Sequence, residues 1–218
     1  MSDHLTLEAV DADGAEREAY DTLPRSTRMG LLQRGLVAGG TLAVGGIVIG
    51  GLPKLVTAAP SPSQDVKILN FALTLEYLEA EFYTQAVAGG ALSGELLKFA
   101  KVVKSHENAH VAFLKSALGA KAVKKPTFDF KGTTDDPAKF QATAIVLEDT
   151  GVAAYNGQGP NLTKKTLGAA ASVVSVEARH AAWIRDIAKK SPAPAAFDAS
   201  KTMSQVLSAV TATGFITG

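Results

Sequence analysis

The stretch that decides the fold is DVKILNFALTLEYLEAEFYTQAVA, residues 65–88. It contains neither Gly nor Pro, and its apolar side chains recur every three or four positions. This spacing is the period of an α-helix that turns one face towards a core. Gly89 and Gly90 follow at once and supply the break at which such a helix ends. We therefore expect one long amphipathic helix, with Asp65 as the residue that caps its first turn.

Three further segments with the same period follow, and their connections predict the architecture. They cover residues 93–118, 137–155 and 162–190. The first two helices are joined by a few residues, whereas residues 119–136 have no helical period and contain Pro126 and Gly132. Two antiparallel hairpins joined by one long crossover form a four-helix bundle. The predicted fold is all-α, with the bundle over residues 60–190 and a C-terminal tail, residues 191–218, that holds one short helix.

The composition excludes several classes of function. The net charge is +1 and no segment is densely basic, which argues against a nucleic-acid-binding surface. The chain has no cysteine, so disulfides, thiolate nucleophiles and cysteine-ligated zinc or iron–sulfur centres are excluded. Any metal site must therefore be built from His, Asp and Glu side chains.

The segment before the bundle has the layout of an acidic arm followed by a targeting sequence. Residues 1–24 carry seven acidic side chains against one arginine, which predicts a solvated, disordered arm. Residues 25–59 begin with three arginines, continue as an uncharged, Gly-rich apolar run and end in small residues, the order of an export signal. The apolar run is also long enough to cross a bilayer. We expect export to the periplasm or cell envelope, with membrane association through residues 36–56 if the leader stays uncleaved.

Two Glu-x-x-His pairs stand out within the predicted bundle, one on its second helix and one on its fourth. The three-residue spacing puts a carboxylate and an imidazole on the same helix face, about one turn apart. A dinuclear carboxylate site takes such a pair from each of two helices and a lone Glu from each of the other two. The candidate ligands in chain order are Glu76, Glu107, His110, Glu148, Glu177 and His180.

The neighbours of these pairs favour a metal site over a solvated helix face. Val103 and Leu114 lie on the same stripe as the first pair, and Val173 and Ile184 on the stripe of the second. A carboxylate within an apolar stripe is costly unless it is paired or bound to a metal. A single Glu-x-x-His pair is common on exposed helices, but this chain has only four histidines, and two of them fall at the required offset.

Four further residues are candidates for a role beside the ligands. Tyr83 and Tyr155 each follow a lone Glu by seven residues and share its helix face. They are either hydrogen-bond donors to ligand carboxylates or redox-active neighbours. Glu79 lies one turn from the first lone Glu and is an extra ligand or a flanking residue. His106 lies one turn before the histidine of the first pair and is an extra ligand, a partner behind the ligands or a surface residue.

Four segments carry a resemblance to a known superfamily. They are LNFALTLEYLEAEFY (69–83), HENAH (106–110), LEDTGVAAY (147–155) and SVEARHAA (175–182). In these the chain resembles the ferritin-like superfamily, and more narrowly the ferritin-like domain proteins related to plant desiccation-related proteins, which are frequently exported in bacteria. The resemblance implies a ferritin-like four-helix bundle whose crossover joins helices 2 and 3, with two Fe ions, or alternatively two Mn ions, held by the six candidate ligands.

The donor set indicates the chemistry to expect. Carboxylates and imidazoles suit iron or manganese. With iron, we expect a di-iron oxidoreductase or ferroxidase that acts on Fe²⁺ with O₂ or peroxide and protects against oxidative or desiccation stress. The alternatives are peroxide disproportionation of the manganese catalase type, or a non-catalytic metal-binding protein of the envelope. The expected partners are metal ions and O₂ or peroxide. The sequence leaves open whether the protein forms a homo-oligomer.

Overall fold

The computed structural model describes residues 59–217, which form five α-helices. They are α1 Pro62–Gly89, α2 Gly94–Leu118, α3 Pro137–Gln158, α4 Lys164–Ile187 and α5 Met203–Thr213. The helix α1 packs mainly on α2 and α3 mainly on α4, and the two hairpins meet along α2–α4 and α1–α3. Residues 59–217 contain no strand, only one isolated antiparallel bridge between Phe128 and Ile216. The predicted all-α bundle with a long connection between its second and third helices is confirmed.

The helix starts follow capping chemistry, with one departure from the prediction. Asp136 caps α3 by accepting from the backbone N–H groups of Ala138 and Lys139, both at 2.9 Å. The expectation that Asp65 caps the first helix is wrong. Ser61 is the cap, accepting from a backbone N–H of the first turn at 3.3 Å, and Pro62 takes the first helical position. A Ser–Pro start is a standard helix opening, and it places the cap of α1 four residues closer to the N-terminus than predicted.

Asp65 instead joins the start of α1 to the start of α4. It is buried, and it accepts hydrogen bonds from the backbone N–H of Thr163 at 2.9 Å and from the Thr163 and Thr166 hydroxyls at 2.5 Å each. Burial would raise the pKa of Asp65, but these hydrogen bonds together lower it below its ordinary value. Thr163 is the N-cap residue of α4, but its side chain makes no capping hydrogen bond, because its hydroxyl donates to Asp65 instead.

An aromatic cluster closes one end of the bundle. Phe82 of α1 stacks on Phe140 of α3 with ring centroids 5.1 Å apart, and Tyr83 meets Phe99 and Phe140 edge to face. All four rings are fully buried. Burying a side chain of this size stabilises a fold by about 1.5–3 kcal/mol. The cluster therefore fixes the relative rotation of the two hairpins and holds the Tyr83 ring in place.

The C-terminal tail packs onto the crossover and α3. Val206 and Val210 of α5 are buried in the main core. The backbone N–H of Asp129 donates to the carbonyl of Phe215 at 2.9 Å, beside the bridge between the crossover and the chain end. The predicted short helix at about residues 201–212 is therefore present as α5, and its apolar side completes the bundle core.

The tail reaches α3 at a glycine. The backbone N–H of Lys201 donates to the carbonyl of Ala153 at 2.9 Å. A Cβ on Gly157, one turn further along α3, would lie 1.8 Å from the Lys201 carbonyl oxygen. Only glycine allows such a backbone contact, so Gly157 is the residue that lets the tail lie directly on the helix.

Two predicted segments lie outside the part of the chain that the structure describes. They are the acidic arm, residues 1–24, and the export signal or anchor, residues 25–59, of which only residue 59 is described. Within residues 59–217, no helix is both long and apolar enough to cross a membrane.

Candidate metal centre

Side chains from the four long helices converge at the middle of the bundle. They form two groups, each with its possible ligand atoms within 4.8 Å of one another. One group consists of Glu76, Glu107, His110 and Glu177, and the other of Glu107, Glu148, Glu177 and His180. Every member except His110 is buried, and that histidine is mostly enclosed. The structure therefore brings together all six residues predicted from the sequence as ligands.

The two histidines face the carboxylates with the same ring atom. The Nδ1 atom of His110 is 3.1 Å from Glu107 Oε2, 3.1 Å from Glu177 Oε1 and 3.3 Å from Glu76 Oε2. On the other side, the Nδ1 atom of His180 is 3.1 Å from Glu107 Oε1. The two oxygens of Glu107 thus face different histidines, which places its carboxylate between the two groups.

The buried polar atoms of the centre fit a pair of metal ions. Six of them have no hydrogen-bond partner within residues 59–217: Glu76 Oε2, Glu107 Oε1, Glu148 Oε2, Glu177 Oε1, Glu177 Oε2 and His180 Nδ1. Unpartnered buried carboxylate oxygens are costly, and native proteins contain few of them. Here they lie side by side, and four carboxylates carry the charge that neutralises two divalent cations. The donor set of oxygen and imidazole nitrogen suits iron or manganese.

The pKa shifts within the centre also favour bound cations. Burial, with the charge of neighbouring glutamates added, raises the pKa values of Glu107 and Glu177 well above their ordinary range. Burial opposes the charged form of His110, but the carboxylates of Glu107, Glu177 and Glu76 outweigh it and raise the pKa of His110 to about 12. Burial and mutual repulsion therefore disfavour the charged forms of Glu107 and Glu177 unless cations lie beside them.

Two tyrosines hold the lone glutamates in a crossed arrangement. The Tyr83 hydroxyl of α1 donates to Glu148 Oε1 on α3, and the Tyr155 hydroxyl of α3 donates to Glu76 Oε1 on α1, the latter at 2.5 Å. Burial and the adjacent carboxylates raise the pKa values of both phenols well above the ordinary range. Each phenol therefore stays protonated and orients one carboxylate, whose Oε2 atom is left facing a histidine.

A fifth carboxylate and a glycine border the centre. Glu79 is buried but belongs to neither group of possible ligands. Burial, followed by the charges of Glu177 and Glu148, raises the pKa of Glu79 well above its ordinary range. A Cβ on Gly151 would lie 3.1 Å from Glu177 Oε2 and 3.4 Å from Glu79 Oε1. Gly151 is not among the residues predicted from the sequence, although a glycine inside a helical pattern, three residues after a candidate ligand, is a usable signal.

His106 contacts the centre from outside. It is exposed and belongs to neither group, but its Nδ1 atom is 2.8 Å from His180 Nε2. Partial burial and the neighbouring His180 and His110 lower the pKa of His106, which favours its neutral form. The structure therefore puts His106 against a candidate ligand rather than among the ligands.

The fold and the site together define a ferritin-like four-helix bundle whose Glu and His cluster fits a dinuclear metal protein. The family model for the ferritin-like domain matches residues 64–190, more than half of the chain, and the chain belongs to this family. None of the curated proteins matches the chain significantly. The resemblance to the ferritin-like superfamily is confirmed, and the link to desiccation-related proteins stays a prediction.

Proposed function

We propose that the centre of this bundle binds two iron ions and that the protein is an oxidoreductase of the ferroxidase type. The observation that supports this proposal is the set of close, buried carboxylate oxygens that have no hydrogen-bond partner among the described residues. Two cations between them would satisfy these atoms and balance the glutamate charges. The proposed ligands are Glu76, Glu107, His110, Glu148, Glu177 and His180.

The ligands have different proposed roles. Glu107 and Glu177 belong to both groups of possible ligand atoms, which makes them the candidates for bridging carboxylates. His110 and His180 each belong to one group and are proposed to bind one ion each through Nδ1. This division follows the pattern of carboxylate-bridged centres in four-helix bundles.

When bound, a pair of iron ions supplies redox chemistry, the oxidation of Fe²⁺ coupled to the reduction of O₂ or peroxide. The residues of this chain prepare the site for it. Tyr83 and Tyr155 orient the two lone glutamates and remain protonated. The aromatic cluster around Phe82 closes one end of the bundle and keeps bulk water from the carboxylates on that side. A dry, fixed donor set costs little reorganisation when the ions change charge.

The proposed setting is outside the cytoplasm, where the protein would protect against oxidative or desiccation stress. This part of the proposal is supported by the three arginines and the uncharged apolar run within residues 25–59. Comparing the N-terminus of the protein isolated from cell fractions with the encoded one would test export and cleavage together. Recovery of the full-length chain in the cytoplasm would contradict it.

A manganese centre is the second candidate, because the donor set lacks any soft ligand and suits Mn²⁺ as well as Fe²⁺. Peroxide disproportionation would then be the expected activity. Elemental analysis of the full chain, expressed once with added iron and once with added manganese, decides between the metals. We expect two iron ions per chain for the wild type and fewer than one for Glu107→Gln. The matched control Glu95→Gln, on an exposed part of α2, should keep both ions.

Oxygen uptake tests the reaction itself. Fe²⁺ is added to the metal-free protein under anaerobic conditions, and O₂ consumption and Fe³⁺ absorbance are followed after air is admitted. We expect oxidation faster than that of free Fe²⁺ for the wild type and for Glu95→Gln, and no acceleration for Glu107→Gln. Two bound ions without any acceleration would contradict the ferroxidase proposal and favour the non-catalytic interpretation.

A further inference from the structure

The two halves of the centre are alike in their carboxylates but differ behind their histidines. Each half has three glutamates and one imidazole. The Nε2 atom of His180 has a partner, the Nδ1 atom of His106 at 2.8 Å. The Nε2 atom of His110 has no hydrogen-bond partner among residues 59–217, although its ring faces its own carboxylates in the same way. The asymmetry therefore rests on one exposed residue.

The geometry of the His106–His180 contact is that of a hydrogen bond in the ring planes. The ring centroids are 5.1 Å apart and the planes differ by 19°. This separation equals the N···N distance plus about one ring radius on each side, so the rings meet edge to edge rather than face to face. Hydrogen bonds are strongest when donor and acceptor are aligned in this way.

The proposed binding of a metal by His180 decides which ring donates. The Nδ1 atom of His180 lies among the carboxylates and would give its lone pair to the ion. A neutral imidazole has one N–H group, so the proton of His180 must then be on Nε2. The Nε2–H group would then donate to His106 Nδ1, which leaves the proton of a neutral His106 on its own Nε2.

We infer that His106 is a positioning residue that holds His180 in the orientation and tautomer for metal binding and makes the His180 half of the centre the tighter of the two. The inference rests on the proposed dinuclear function. Partners behind a ligating histidine fix the ring and raise its basicity, and their loss typically costs about 10–100-fold in metal affinity. His110 lacks such a partner within the described part of the chain, so its half should bind more weakly and fill second.

Stepwise titration of the metal-free protein with Co²⁺ tests this inference, since the absorption of Co²⁺ reports binding to each half. We expect two separate binding steps for the wild type. His106→Leu removes the acceptor and should weaken the first step about 10–100-fold while leaving the second unchanged. His106→Asn keeps an acceptor oxygen close to the position of Nδ1 and should restore most of the difference. Ser105→Leu adds the same apolar side chain at a neighbouring exposed position and should change neither step.

A second readout reports the hydrogen bond directly. In the protein loaded with Zn²⁺, a diamagnetic probe, ¹⁵N NMR of the histidine rings should show His106 neutral, with its proton on Nε2. A proton on Nδ1 of His106 in the loaded protein would overturn the inference, and so would equal weakening of both Co²⁺ steps by His106→Leu. Binding of fewer than two Co²⁺ ions by the wild type would instead contradict the dinuclear proposal itself.

Discussion

Single residues of this centre are held by partners on other helices. Tyr83 of α1 donates a hydrogen bond to Glu148 of α3, and Tyr155 of α3 donates one to Glu76 of α1. Each lone glutamate is therefore oriented by the helix that carries the other one. The Glu177 and Glu79 carboxylates lie close to α3 at Gly151. Both features orient the candidate ligands. The first can be tested by removing a tyrosine hydroxyl, and the second by adding a Cβ at Gly151.

Removing the Tyr83 hydroxyl should loosen Glu148. In Tyr83→Phe the buried Glu148 Oε1 atom loses its donor, and leaving a buried acceptor unpaired costs about 1–3 kcal/mol. We expect a loss of this size in the free energy of unfolding of the metal-free protein, measured by urea denaturation, together with weaker Co²⁺ binding. Tyr77→Phe is the matched control, because the Tyr77 hydroxyl makes a long 3.5 Å hydrogen bond to a crossover carbonyl. Equal losses for the two variants would contradict this role of Tyr83.

Adding one carbon at Gly151 should displace Glu177. Alanine normally stabilises a helix interior relative to glycine by about 0.5–1 kcal/mol. At Gly151 the new Cβ would lie 3.1 Å from Glu177 Oε2, so Gly151→Ala should bring no such gain and should lower the metal content on elemental analysis. Gly168→Ala on α4 is the control, since within residues 59–217 no atom outside the adjacent backbone of α4 lies within 4 Å of its added carbon. That variant should gain stability and keep its metal, and an equal gain at both positions would refute the close approach at Gly151.

At the scale of the helices, the start of α4 depends on a side chain of α1. Asp65 accepts three hydrogen bonds from Thr163 and Thr166, across the interface between the two hairpins. Hydrogen bonds to a charged group contribute about 1.5–3 kcal/mol each in favourable settings. These hydrogen bonds therefore hold the first turn of α4 against the first turn of α1. The aromatic cluster lies near the other end of α1, at Phe82.

Loss of the Asp65 charge should destabilise the fold in a pH-dependent way. We expect Asp65→Asn to lower the free energy of unfolding at pH 7 by about 1–3 kcal/mol. Because the pKa of Asp65 is lower in the folded chain than in the unfolded one, its stabilisation is complete above the unfolded pKa of about 3.9 and is lost as the pH falls through the folded pKa. The wild type and the variant should therefore converge in acid.

Urea denaturation at pH 7 and at steps down to about pH 3 measures this convergence. The difference between wild type and variant cancels the titration of the buried centre, which both proteins share. Asp186→Asn, at an exposed position on α4, should track the wild type throughout. A wild-type advantage that stayed constant in acid would contradict the lowered pKa of Asp65.

At the scale of the whole molecule, the segments outside the four long helices close the bundle. The crossover and the chain end meet at the Phe128–Ile216 bridge, and α5 adds Val206 and Val210 to the core. The tail also contacts α3, through the Ala199 carbonyl and the Lys201 backbone N–H. The four-helix domain and its C-terminal tail are thus packed together across the described part of the chain.

An added Cβ at Gly157 should detach the tail from α3. Because that carbon would lie 1.8 Å from the Lys201 carbonyl oxygen, the backbone must move, and overpacking of this kind costs about 1–3 kcal/mol. We expect faster hydrogen exchange at the Lys201 amide in Gly157→Ala, and faster proteolysis between residues 191 and 202. Gly159→Ala, whose added carbon would make an ordinary 3.7 Å contact, is the control. Unchanged protection of the Lys201 amide in Gly157→Ala would show that the contact is dispensable.

The sequence by itself determined the features that depend on residue spacing and residue type within one segment. Apolar spacing and breaks marked the helices, and the two Glu-x-x-His pairs marked four of the six candidate ligands. Only the tertiary structure decided the pairing of Tyr83 with Glu148, the contact of His106 with His180 and the course of the tail over Gly157. These contacts depend on the relative rotation and offset of packed helices. Side-chain packing sets both quantities, and no period within a single helix contains them.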